Sequence, residues 1–246
     1  FKRVLIAYSG GLDSSVLLNA VSALNLKVPV LAIHVHHGLS SNADNWLQHC
    51  QQECQRLDIP FYFEKVDLQG RGQINNTSGI ELAARQARYQ IFQQYLQEGD
   101  GILMAHHQDD QIETFMMRLM RGSGLTGLSA MDKQRTLGLG QLFRPLLNCS
   151  RKDLEAYAQA KSLSHIEDES NHNTEFDRNW WRQDLLPQLR NRFVQSDQSI
   201  LKSVEVLKSE QQLLNDLLRP IYAGIQDAQG CLNIANLSFQ PLSIQS

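Results

Sequence analysis

Apolar positions along this chain switch repeatedly between a short continuous run and a helical spacing. Val4 to Ala7 is an apolar run that stops at Ser9-Gly10-Gly11, and Leu12, Val16, Leu17, Ala20, Val21 and Leu24 then recur at the spacing of a helix. The same alternation follows downstream: strand over Val28–Val35, helix over Ser41–Leu57, strand over Phe61–Val66, helix over Gly79–Glu98 and strand over Gly101–Ala105. A further helix runs on to Arg118–Arg121, another spans Ser150–Lys161 behind a serine cap, and a last one covers Ser196–Leu218. Leu68–Ser78, with Gly70 and Gly72 and no period, reads as a mobile loop. Beyond Gly230 the pattern is too short to assign.

Strands and helices in alternation predict a doubly wound, mainly parallel α/β sheet with helices on both faces, followed by a small mainly helical domain. The expected division is a catalytic domain over residues 1–192 and a helical C-terminal domain over 193–246. Trp180 and Trp181 are expected to pack between the two.

Composition changes this picture little. Hydrophobic content of 42% and charged content of 20% are ordinary for a globular protein, and no apolar stretch approaches a membrane span. No secretory signal precedes the first strand, and Cys50, Cys54, Cys149 and Cys231 form no C-x-x-C pair, so reduced thiols and a cytoplasmic location are expected. His49, Cys50 and Cys54 read as small helix side chains rather than metal ligands. The chain opens at Phe1, which implies a few earlier residues. A net charge of −3 argues against a uniformly basic nucleic-acid binder. Yet Arg118 to Lys152 holds a local excess of six positive charges, the footprint of a polyanion face.

Candidate chemistry gathers at the carboxyl ends of the strands. Gly10 and Gly11 let the backbone approach a ligand closely, and the first amides of the next helix point unpaired N–H groups into the same space. A phosphate fits there, with Ser9, Ser14 and Ser15 adding hydroxyl donors and Asp13 able to hold a magnesium ion shared with the phosphates. No lysine follows the glycines, so the loop is neither GxxxxGK[ST] nor GxGxxG. His34, His36 and His37 stand at the same edge. The fourth strand runs into His106-His107-Gln108-Asp109-Asp110, with Glu113 one turn on. One carboxylate suffices to cap a helix. Two histidines before two aspartates also suit a magnesium nucleotide and a base for an attacking amine.

Ser9-Gly10-Gly11-Leu12-Asp13-Ser14 resembles the pyrophosphate loop of the N-type ATP pyrophosphatases, which split ATP into AMP and pyrophosphate while activating a carbonyl oxygen. A wider set of motifs resembles the tRNA(Ile)-lysidine synthases of that superfamily: His34-Val35-His36-His37-Gly38-Leu39, Glu81 to Tyr89, Ala105 to Thr114, Arg121-Gly122-Ser123-Gly124, Arg144-Pro145-Leu146-Leu147, Glu167-Asp168-Glu169-Ser170-Asn171 and Arg178-Asn179. His36 departs from the Asn or Asp expected there, and Ser40 from a common arginine.

This resemblance implies that ATP adenylates the carbon-2 oxygen of the wobble cytidine in the CAU-anticodon isoleucine tRNA, and that free L-lysine then displaces AMP to give lysidine. It implies an ATP site of Ala7, Ser9, Gly10, Gly11, Leu12, Asp13, Ser14, Ser15 and His34, with magnesium on Asp13 and Asp110. The catalytic set is Asp13, Arg85, His106, Asp109, Asp110 and Glu113, Arg85 neutralising phosphate charge. Arg118, Arg121, Lys133, Arg135, Arg144, Arg178 and Arg182 are the expected tRNA face. The carboxylate that meets the lysine ammonium is Asp109, Glu113 or one of Glu167–Glu169. Members of this family are often dimeric, and some carry a further C-terminal domain. The competing readings are a tRNA thiolase of the same superfamily and a non-catalytic RNA- or nucleotide-binding module.

Overall fold

The computed structural model of the protein describes residues 1–38, 40–66, 77–169, 173, 174, 176–225 and 231, apart from the side chains of 77, 78 and 81. The expected loop up to residue 76, Ser170-Asn171 and all but residue 231 of the chain after 225 lie outside that description.

Branched and leucine-rich runs with no polar alternation make strands buried on both faces, and the central strands here are of that kind. β1 (Val4–Ala7) lies between β2 (Val30–His36) and β4 (Gly101–Leu103), parallel to both. β3 (Phe61–Lys65) extends the sheet beyond β2, and β6 (Gly140–Phe143) extends it beyond β4. β5 (Gln134–Leu137) closes the far edge antiparallel to β6, giving the order β3-β2-β1-β4-β6-β5. The expected parallel doubly wound sheet is present. The β5–β6 hairpin is an addition that charge counting had hidden, because Gln134-Arg135-Thr136 is a polar, exposed edge strand.

Alternate residues of β1 supply two cores. Leu5 joins Ile33, Phe92, Leu96, Ile102 and Leu142 on one face, beneath α3 (Thr77–Tyr95). Ile6 joins Leu17, Leu18, Val21, Cys50 and Cys54 on the other, beneath α1 (Leu12–Ala23) and α2 (Ala43–Arg56). The chain returns through α4 (Gln108–Met120), the short α5 (Leu125–Leu128) and α6 (Arg151–Ala160).

One helical run then carries α7 (Asp177–Trp180), a π-helical turn at Trp181–Leu185 and α8 (Leu186–Arg192), and α9 (Ser196–Ile225) follows. Trp181 and Leu186 pack on Ile112 of α4 together with Ile200 and Leu201 of α9. This cluster spans the boundary expected at 192/193. Trp181 is buried in it, while Trp180 is exposed.

Candidate active site

Strand order reverses between β1 and β4, and in open α/β sheets the crevice at such a point receives the ligand. A cleft of about 1080 Å³ opens there, lined by Ala7, Ser9, Gly11, Asp13, Ser14, His34, Arg85, Arg88, His106, Asp110, Arg178 and Arg182, among others.

The loop after β1 forms its floor. Gly10 has φ +86, and a Cβ there would lie 2.4 Å from Ile166 Cδ1 and 2.8 Å from Cys50 Sγ, so a side chain is strained and must push Ile166 and Cys50 aside. Ile166 N donates to Gly10 O at 2.9 Å and so staples the loop from a distant part of the chain. Ser9 Oγ and Ser14 Oγ lie 3.1 Å apart, and Ser14 Oγ donates to Gly11 O at 3.0 Å. Gly11 caps α1 without a side-chain hydrogen bond, which leaves the first amides of α1 available to an anion. Ser15 is turned inward, donating to Gly10 O at 3.2 Å.

Across the cleft, His107 caps α4. Its Nδ1 accepts from Asp109 N at 3.3 Å, which assigns the ring proton to Nε2. That nitrogen lies 3.6 Å from Asp13 Oδ2 and 3.7 Å from Asp110 Oδ2, so both carboxylates converge on one imidazole. Asp110 also completes the capping box, accepting from His107 N at 2.8 Å, and its other oxygen takes Arg178 Nη2 at 2.7 Å. Capping and a cleft role thus coexist in one side chain.

The two carboxyls are driven apart electrostatically. Burial raises Asp13 above the usual carboxylate range, with His107 and Arg151 pulling the other way. Burial also works to raise Asp110, but Arg178, His107 and His106 outweigh it and hold that carboxyl low.

The remaining expected residues separate by geometry. His106 lines the cleft; burial above all lowers it to about 3, so the ring is neutral. Arg144 Nε donates to His106 Nδ1 at 3.3 Å, leaving the proton on Nε2 as a donor. His34 donates from Nδ1 to Tyr8 O at 2.9 Å, and burial keeps it below its ordinary value. Arg85 stands exposed at the rim, its guanidinium 5.1 Å from the Tyr89 ring centroid. Arg88 Nη2 lies 3.4 Å from His37 Nε2, and His37 is lowered to about 4, chiefly by burial.

Asp109 does not line the cleft. It takes Arg190 Nη2 at 3.0 Å and Arg151 N at 3.4 Å, joining α4 to α8 and α6. Glu113 is 0% exposed and accepts Arg178 Nε at 2.6 Å and Arg182 Nε at 2.7 Å. It therefore anchors two arginines, one on each side of the junction between α7 and the π turn.

Two residues of the expected tRNA face are withdrawn from it. Arg144 is only 4% exposed, its Nη1 donating to Asp132 O at 2.6 Å. Arg118 Nη1 donates to Gly127 O and Ala130 O, both at 2.8 Å, so it satisfies the carbonyls of the α5 turn. Counting charge along the sequence does not reveal which guanidiniums are consumed by backbone. Arg121, Lys133 and Arg135 are exposed, and Arg178 and Arg182 keep partial exposure.

Ile166 was not singled out from sequence, and the pairing of His107, Arg151 and Arg190 with the aspartates was not legible there. His107 alone had a local signal, its place beside His106 before the paired aspartates. Arg151 pairs with Asp13 from 138 residues away, at 2.7 Å between Nη1 and Oδ1.

Hard-oxygen ligands suit magnesium, which is commonly held by one or two carboxylates together with substrate phosphates and water. Asp13 and Asp110, converging beside the phosphate loop, fit that chemistry. Among the described residues no group of three or more His, Cys, Asp or Glu forms a metal site unaided.

A mainly parallel sheet whose first strand ends in a Ser-Gly-Gly turn at the reversal of strand order defines a domain of the PP-loop kind. The chain belongs to the PP-loop domain family, whose model matches residues 1–189. Among curated proteins it is 48% identical to a tRNA(Ile)-lysidine synthase of Histophilus somni (strain 129Pt), over 96% of this chain and 55% of the relative. It is 44% identical to the enzyme of the same name from Pectobacterium atrosepticum, over 95% of this chain and 52% of that one. The chain thus spans about half the length of the curated relatives it matches. Among solved structures, the U34-tRNA thiolase NcsA from Methanococcus maripaludis shares the fold with a TM-score of 0.66 at 17% identity, covering 84% of this chain and 72% of that chain.

Proposed function

We propose that this chain is the ATP-using part of a tRNA(Ile)-lysidine synthase. The observation that carries the reading is the convergence of Asp13 and Asp110 on His107, directly beside the phosphate loop. Relatives of that name, similar along nearly the whole chain, support it.

In this reading the amides of α1 and the hydroxyls of Ser9 and Ser14 hold the leaving pyrophosphate, while Arg85 at the rim offsets phosphate charge. Asp13 and Asp110 would hold magnesium, which supplies positive charge against the phosphates when bound. His106, neutral and with its proton on Nε2, donates a hydrogen bond into the cleft rather than acting as a base. Glu113 fixes Arg178 and Arg182 in the wall where the cytidine and the lysine must enter. The cytidine's carbon-2 oxygen attacks the α-phosphate and pyrophosphate leaves; the ε-amine of lysine then displaces AMP. An unpaired anticodon base can reach such a cleft without disrupting a duplex.

Exposed Arg121, Lys133 and Arg135, with Arg178 and Arg182, are the tRNA contacts in this reading, so tRNA affinity falls with salt much more steeply than ATP affinity. A sulfur-transfer reading is disfavoured because the four cysteines form no C-x-x-C pair, and burial pushes the Cys50 and Cys54 thiols upward, away from the reactive thiolate. The test is incubation with ATP, magnesium, labelled lysine and bulk tRNA. Label entering RNA in an ATP-dependent manner supports the proposal. Pyrophosphate release with no label in RNA would overturn it in favour of a different PP-loop reaction.

A further inference from the structure

Loops of the GxxxxGK[ST] kind place a lysine on the terminal phosphates, and this loop has none. Pyrophosphate leaving ATP still needs a cation beyond the helix amides, because a polyphosphate with one divalent ion keeps net negative charge. The geometry points to a guanidinium brought from elsewhere in the chain. Arg151 is the first residue of α6, whose start is fixed by the Ser150–Asp153 capping box. Its Nη1 lies 2.7 Å from Asp13 Oδ1, and its Nε lies 2.9 Å from Glu155 Oε1.

We propose that Arg151 is a polyphosphate-binding residue: it neutralises Asp13 before ATP arrives and passes to the pyrophosphate moiety when Asp13 turns to the cation that ATP carries. The inference rests on the ATP reading given above. Three features support it. Asp13 Oδ1 holds the guanidinium while Oδ2 faces His107 and Asp110, so a divalent ion on Oδ2 withdraws the charge that holds Arg151 and loosens it beside the loop. The side chain is 39% exposed, so its movement requires little desolvation. Glu155 holds Nε from the following turn of α6 and keeps the released guanidinium near the loop rather than in bulk water. An arginine also matches phosphate oxygens in bidentate fashion.

The experiment is calorimetric titration of the chain with inorganic pyrophosphate plus magnesium, and separately with ATP plus magnesium and with AMP. For Arg151→Met the expected result is pyrophosphate binding at least about ten-fold weaker, with AMP binding unchanged; Arg151→Lys recovers part of the loss. Pyrophosphate affinity that is unchanged or increased in Arg151→Met overturns the proposal, since that is the behaviour of a mere counter-ion for Asp13. If Arg151→Met does not fold, Arg151→Lys decides alone: wild-type pyrophosphate affinity overturns the proposal and weakened affinity supports it. Wild-type protein that binds neither ATP nor pyrophosphate refutes the ATP reading itself. Binding by wild type and equal binding by both variants refutes only the role of Arg151.

Discussion

Asp13 and Asp110 bring the same side chain into two electrostatic settings, one raised by burial and one held low by Arg178 and His107. As pH falls toward the carboxylate range, Asp13 takes a proton first, and magnesium-dependent ATP binding is expected to weaken before the Asp110–Arg178 pair breaks. Asp13→Asn should reduce turnover by at least about 100-fold with little change in melting temperature, because the lost charge acts on the reacting phosphates rather than on packing. Near-wild-type turnover by the variant would refute that role. The buried histidines give a separate acid signature. His37 and His106 sit at about 4 and about 3, below their unfolded value near 6.5, so the unfolded chain binds more protons between those limits. The stability they contribute is complete above about pH 6.5 and is lost as pH falls, toward about 4 for His37 and about 3 for His106. Denaturant titrations across that range should show the slope, and His37→Gln should flatten it.

At the scale of elements, the β1–loop–α1 unit was legible because everything it needs is local: an apolar run, two glycines and a helical period within about twenty residues. The helix start at the paired aspartates after β4 was legible for the same reason, but not that Asp110 alone of the two faces the cleft. What escaped was long-range or polar. The Arg151–Asp13 contact and the Ile166 staple join segments that share no pattern, and β5 is too polar at the sheet edge to read as a strand. Glu113 was legible as important but not in its role, since its two arginine partners lie 65 and 69 residues away. Gly10→Ala tests the loop element directly. With φ +86 and Ile166 Cδ1 in the way, it should destabilise the fold by roughly 2 kcal/mol or more and abolish nucleotide binding. A Gly10→Ala protein with normal melting and ATP affinity would show that the loop tolerates a side chain after all.

Over the whole molecule, α9 is tied to α4 and to the helical run around Trp181. Ile200 and Leu201 pack with Trp181 and Ile112, and Lys208 Nζ donates to Met131 O, whose own residue is bracketed by the Gln111 amide through two bonds of 2.8 Å. Removing residues 195–246 should therefore lower the melting temperature as well as tRNA modification. Ending the chain after Gln211 keeps those contacts, and it is expected to preserve ATP binding while tRNA modification falls. Equal loss of both activities in the longer form would place nucleotide binding under control of the distal half of α9.

The Ile166 staple extends across the molecule in another way. The backbone amide of Ile166 is bonded to Gly10 O, and Ile166 pairs as a bridge with Gly11, although that bridge's ends are 155 positions apart in the chain. Solvent exchange at that amide requires the staple to open, and an occupied loop resists opening. Deuterium uptake by the peptide that contains Ile166 is thus a remote gauge of loop occupancy, readable on unlabelled protein without following turnover. It should slow when nucleotide fills the cleft and keep its unliganded rate in Gly10→Ala, whatever nucleotide is added.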